Sequence, residues 1–232
     1  MNEDQTRLDR LIAELRGLPD LDNRQSIVGR LRAIKMRIDV ATRQVNQAKL
    51  GRSGLKSIAG SGTGSNDNST FKKLEEATQD LLDFVRNGRV TPGSKRDETL
   101  TTNIADAADR LFKSANVDWT DYFAERNDGF CKLASAATEA NLNGARDLEN
   151  AVEALTRLTQ TIPLSPEGVS TAGEALAKVR EAIKDLGLEG RAGQFLVAAV
   201  QEVATLEMVQ AEEVQRFLLA HSAIAKMLRV RL

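Results

Sequence analysis

One histidine and one cysteine in 232 residues leave most catalytic centres without their raw material. Multi-histidine metal sites, Cys-His pairs and Ser-His-Asp arrangements all need a base or a ligand set that here only His221 offers. His221 stands three residues after Leu218 and three before Ile224, the apolar side of a helix, which fits packing better than catalysis. Cys131 has no partner for an internal disulfide, and between Phe130 and Leu133 it reads as a small core residue. Carboxylates are numerous but interleaved with lysines and arginines, so no paired-acid site stands out. The expectation is no enzyme, no metal and no cofactor.

Aromatic residues are scarce, at 4% of the chain, and there are four prolines. A core built from Leu, Ile, Val and Ala suits helix-on-helix contacts, and no segment alternates with the period of two that a strand requires. Long apolar runs are missing as well. The longest, Phe195 to Val200, is six residues, against the ~20 needed to cross a bilayer. With its charged start, "MNEDQTRLDR", the chain is expected to be cytoplasmic, with no membrane partner.

What is present is helical periodicity. Leu8, Leu11, Ile12, Leu15 and Leu18 mark a first helix from about 4 to 16, ended by "GLPD". Then Ile27, Leu31, Ile34, Ile38, Ala41, Val45 and Ala48 step by four and three without a miss, the spacing of a coiled-coil seam. A third helix, capped by Ser69 or Thr70, carries Leu74, Ala77, Leu81, Leu82 and Val85. A fourth is expected from about Arg96 to Ala115, with Asp118 capping a short turn in "NVDWTDYF", followed by a long helix from about Gly129 to Thr161. "IPLSPEG" then breaks the chain, and Ser165, Pro166 and Glu167 supply cap, first-turn proline and first-turn acid for a new helix. Helices from about 191 to 206 and across 214–228 complete the pattern. The fold expected is all-α: an elongated, coiled-coil-like bundle over 1–161, a Gly/Ser joint at 59–69, and a small helical domain over 162–232.

The joint contains "GSGTGSN". A phosphate-cradling glycine loop needs a strand before it and a helix opening directly after, and the Walker ending Gly-Lys-Ser/Thr is absent. The tract therefore reads as a flexible connection. Trp119, the only tryptophan, and Tyr122, the only tyrosine, lie within four residues of each other. Trp119 and Phe123, one turn apart, are expected to plug the bundle, with the Tyr122 hydroxyl left to water.

Charge supplies the strongest functional hint. The chain as a whole is nearly neutral, at net −1, yet Arg24 to Lys56 holds nine basic residues and one acid, net +8. Arg30, Lys35, Arg37 and Lys49 flank the seam, where coiled coils place the charges that choose a partner; Arg32, Arg43 and Arg52 complete the patch. Acids at Asp80, Asp83, Asp147, Glu149 and Glu153 are candidate neighbours within the chain. Phosphates are the external alternative, but no aromatic residue interleaves the cluster to stack bases. The reading is a non-enzymatic helical scaffold or adaptor, with the stripe Ile27, Leu31, Ile34, Ile38, Ala41 and Val45 meeting another protein helix. A nucleic-acid-binding accessory role for the basic helix 24–56 is the alternative.

Overall fold

The structure, a computed structural model, describes residues 21–60, 68–86 and 95–227. The expected first helix, residues 61–67 of the Gly/Ser tract and the "NGRVTPGS" break as far as residue 94 lie outside them. Among the described residues there are nine helices and no strand: α1 (Leu21–Ala59), α2 (Asn68–Arg86), α3 (Lys95–Glu139), α4 (Ala145–Thr159), α5 (Pro166–Asp185), α6 (Arg191–Val200), α7 (Leu206–Gln210), α8 (Glu212–Ala220) and α9 (Ser222–Met227). The protein is an all-α helical bundle. It divides into two compact units, one holding described residues up to 53 and those between 62 and 116, the other residues 54–61 and those from 117 onward. The boundary expected at 161/162 falls inside the second unit, where α4 and α5 on either side of it pack on each other.

In the first unit, Ala41 on α1 and Ile104 and Ala108 on α3 form a small cluster, against which Val45 of α1 and Leu74 and Ala77 of α2 pack. The pairings give the topology. Gln44 Nε2 donates to Asp109 Oδ1 (3.3 Å) and Arg52 Nη2 to Ser114 Oγ (3.4 Å), so α1 and α3 run parallel. Arg52 also lies 5.1 Å from the centre of the Phe71 ring at the start of α2, while Leu74 and Ala77 further along pack on the cluster around Ala41, so α2 runs antiparallel to both. Small side chains at the contact bring helices close but bury little apolar area each.

The second unit is richer. Of the twelve largest fully buried side chains among the described residues, only Leu111 belongs to the first unit; Trp119, Phe123, Phe195, Leu148, Leu155, Leu176 and the rest belong to the second. Trp119 and Phe123 stack with ring centres 5.0 Å apart, as their spacing predicts. Tyr122 packs beside them, its ring edge-on to Phe123 at 4.9 Å and roofed by the Arg126 guanidinium 3.7 Å from its ring centre, which leaves the residue largely buried. The Trp119 indole N–H donates to the carbonyl of Thr159 (3.2 Å), which closes α4 and has no partner of its own in that helix. Gly54 of α1 faces this ring. A Cβ there would lie 3.3 Å from Trp119 and 2.7 Å from Val169 Cγ1, so only glycine permits the approach.

Three helix boundaries correct the sequence reading. The break expected at Ala115–Asp118 does not exist: α3 is continuous over 45 residues, because Ile104, Ala108, Leu111, Ala115, Trp119 and Phe123 form one unbroken buried stripe. Asp118 is an interior residue of that helix, and Gly129 lies within it. The chain instead turns at 140–144. There Asn141 takes a left-handed φ of 53° and Gly144 one of 95°, and the amides of Asn141 and Leu142 bond back to Thr138 and Ala137, a Schellman ending.

The same ending recurs at Gly187 and Leu188, and again at Glu202 and Val203. The last stops α6 at Val200 rather than 206, and the helix expected over 214–228 is split into α8 and α9, its final residue lying outside the described ones. No glycine or proline signals this. A single helix from 191 to 220 would carry Val214 and Phe217 ~35–39 Å from its start, whereas the turn lets α8 fold back onto α6. At α5 the expected cap is present: Ser165 Oγ accepts from the Gly168 amide (3.3 Å). The Glu167 carboxyl is held below its usual range by its own backbone N–H and then by the Ser165 hydroxyl.

Two predictions follow from this geometry, both read by the fluorescence of the single tryptophan, which lies in the second unit. A Cβ at Gly193 would sit 2.4 Å from the Leu188 carbonyl oxygen, whereas one at Gly129 meets nothing within 4 Å. Gly193→Ala should lose about 1–3 kcal/mol in urea unfolding, and Gly129→Ala should gain about 1 kcal/mol. Glu202, at φ 59°, holds a conformation that glycine adopts without strain. Glu202→Gly should therefore raise stability by about 1 kcal/mol, and a loss would show that its side chain matters more than its backbone.

Candidate functional site

The basic helix α1 is the region to which the sequence assigns function, and the structure sorts its residues by exposure. Along the expected seam, Leu31 and Ala41 are buried and Ile34, Ile38 and Val45 half-buried; the side chain of Ile27 lies outside the described residues. Ala41 and Val45 meet α2 and α3 of the same chain, so this part of the stripe is occupied from within.

The cations divide in the same way. Arg52 is a structural residue: half-buried, stacked on Phe71 and bonded to Ser114, with its Nε enclosed and lacking a partner in the chain. Arg32, Arg37, Arg43 and Lys49 are exposed, and no ion pair engages them among the described residues. Arg30 and Lys35 do have interactions, as does the lone acid Asp39. Of the acids suggested as neighbours, one has a partner on its own helix. Glu153 pairs with Arg157 one turn along α4, Asp80, Asp147 and Glu149 are exposed, and the side chain of Asp83 lies outside the described residues.

Met36 and Val40 are the residues that sequence reasoning passed over. They are 69% and 48% exposed, on a side of α1 away from the seam. Met36 is two residues from both Ile34 and Ile38, which places it ~200° round the helix from them. Exposed Gly29 and Ala33 precede it at the same four-and-three spacing. Their pattern was legible, but it was masked by a stronger one on the opposite side. The helix thus carries apolar residues on two faces, with arginines between them.

Elsewhere the structure offers little to chemistry. His221 lies at the junction of α8 and α9, half-buried, its ring centre 4.7 Å from that of Phe217. Cys131 corrects the sequence reading: it is exposed, because two residues from buried Leu133 it points ~200° away from that contact. A cavity of about 290 Å³ in the second unit is lined by Arg191, Gln194, Glu207, Met208, Ala211 and Val214, with no nucleophile among them. Among the described residues no three His, Cys, Asp or Glu side chains gather as metal ligands, and no helix is long and apolar enough to cross a membrane. No family model, curated protein or solved structure matches the chain.

The division of the cations is testable by stability. Arg52→Ala should cost about 1–2 kcal/mol through lost packing and a lost hydrogen bond. Arg43→Ala should stay within about 0.5 kcal/mol of the parent, with both measured by thermal unfolding followed by circular dichroism.

Proposed function

We propose that the protein is a non-enzymatic helical scaffold or adaptor of the cytoplasm, which presents α1 to another protein. One observation carries the reading: among the described residues of the first unit, the large exposed apolar side chains, Met36 and Val40, sit together on one helix face beside Arg32 and Arg37, which no described ion pair engages. Isolated exposed apolar residues are ordinary, but a stripe at heptad spacing flanked by charge has the form of a helix-docking face. The second unit, with its aromatic core, serves as the stable body. An exposed thiol at Cys131 suits a reducing compartment.

The second reading is nucleic-acid binding, favoured by the exposure of Arg32, Arg37, Arg43 and Lys49. Phosphates would satisfy these cations while leaving Met36 and Val40 in water. Phe71, an aromatic ring beside this helix, already holds the Arg52 guanidinium over one face, which leaves less of it for a base to stack on. The two readings separate in a mobility-shift titration of the full chain with duplex DNA and single-stranded RNA at two salt concentrations. No appreciable binding at physiological salt is expected. Tight binding that weakens steeply with salt and disappears on Arg32→Glu with Arg43→Glu would replace the adaptor reading with the nucleic-acid one.

A further inference from the structure

We infer that the outer stripe of α1, formed by Gly29, Ala33, Met36 and Val40, docks an acidic amphipathic helix from a different protein. The inference rests on the adaptor reading and specifies the partner's chemistry. Its first support is spacing. The four residues recur by four, three and four over ~16 Å of helix, and all are exposed. Small residues at one end and large ones at the other make a stepped surface: a facing helix can come close at Gly29 and Ala33, while Met36 and Val40 enter gaps between its side chains. A Cβ at Gly29 would meet nothing within 4 Å, so among the described residues no group fills that end. Methionine suits such a surface, because its unbranched, polarizable side chain conforms to what it meets.

Charge decides among occupants. When the stripe is taken as a seam, the positions flanking it are 30 and 37 on one side and 32 and 39 on the other, with Arg43 continuing the stripe itself. Three of these four flanking residues are arginine, and Arg32 and Arg37 are exposed, with no ion pair among the described residues. A helix with Glu or Asp in its own flanking positions would neutralise them on docking. A second copy of this chain would do so less well: in a parallel pair Arg32 would face Arg37, and in an antiparallel pair the attraction of Arg32 for Asp39 on one edge is offset by Arg30 facing Arg37 on the other. Like charges placed opposite each other select against that pairing.

The test uses the full chain and two labelled synthetic peptides of roughly three heptads, with leucine at the core positions and either glutamate or lysine in the flanks. Fluorescence anisotropy should show the glutamate peptide binding at least about tenfold more tightly than the lysine peptide, with the preference narrowing as salt rises. Met36→Asp with Val40→Asp should weaken it by about tenfold or more at unchanged helix content, since both side chains already face solvent. Arg32→Glu with Arg37→Glu should reverse the preference between peptides. Equal binding of the two peptides, or binding indifferent to the Met36 and Val40 substitutions, would overturn the inference. Preference for the lysine peptide through Met36 would overturn the acidic partner and leave the adaptor reading standing. A concentration-dependent dimer in sedimentation, abolished by Met36→Asp, would make a second copy the occupant and overturn it as well. If neither peptide binds, the docking face is refuted, and the adaptor reading is then judged by the mobility-shift result alone.

Discussion

The Trp119 indole is where three stretches of the second unit meet: Gly54 of α1, Phe123 one turn further along α3, and the carbonyl that ends α4. A helix C-terminus leaves carbonyls without partners, and enclosing one costs free energy unless a donor reaches it. The indole supplies that donor while burying its own large apolar surface. Thr159 completes the junction, since its hydroxyl donates to the Leu155 carbonyl (2.8 Å) and accepts from Asn127 Nδ2 (3.1 Å). The turn at 140–144 follows from this constraint. Trp119 and Asn127 on α3 both reach Thr159, so the chain must reverse between Asn127 and Thr159 and bring α4 back antiparallel.

The two units are built on different terms. In the second, aromatic and branched side chains interlock, and the burial of each full-sized apolar side chain contributes about 1.5–3 kcal/mol. In the first, alanines at 41, 48, 107, 108 and 115 make the contacts, so each turn of helix buries little. The ion pairs seen in both units are local. Lys72–Glu76, Lys113–Asp109, Lys132–Asp128, Arg157–Glu153 and Arg216–Glu212 each span one turn of their own helix, and such exposed pairs are worth only about 0.3–0.5 kcal/mol. The Glu212–Arg216 pair shows the local character: it lowers the carboxyl pKa and raises that of the guanidinium without joining one helix to another.

An alanine-rich contact has a functional corollary for α1. A helix committed to a deep core spends its apolar residues on one face. Here the inward face is occupied largely by small residues and half-buried isoleucines, and a second stripe with two large side chains is left on the other. That distribution suits a helix serving as structure on one side and recognition on the other, with Arg52 turned inward to structure and Arg32 and Arg37 left outward.

The sequence alone determined the helical class, most helix starts and the buried stripes, because helical periodicity and capping are local: Ser165 caps α5 as its neighbours dictate, and Trp119 and Phe123 stack because they are one turn apart. It also located the basic helix. What it left undecided were features set by contacts distant along the chain. Nothing near Asp118 says that α3 runs straight through; the continuous stripe from Ile104 to Phe123 does. Nothing near Glu202 says that α6 must end; the return of α8 onto α6 decides it. Whether Cys131 lies inside or outside, and which arginine of nine basic residues on α1 is structural, depends on which neighbours close over each face. Local sequence specifies the faces of a helix, and only tertiary packing chooses which of them is covered.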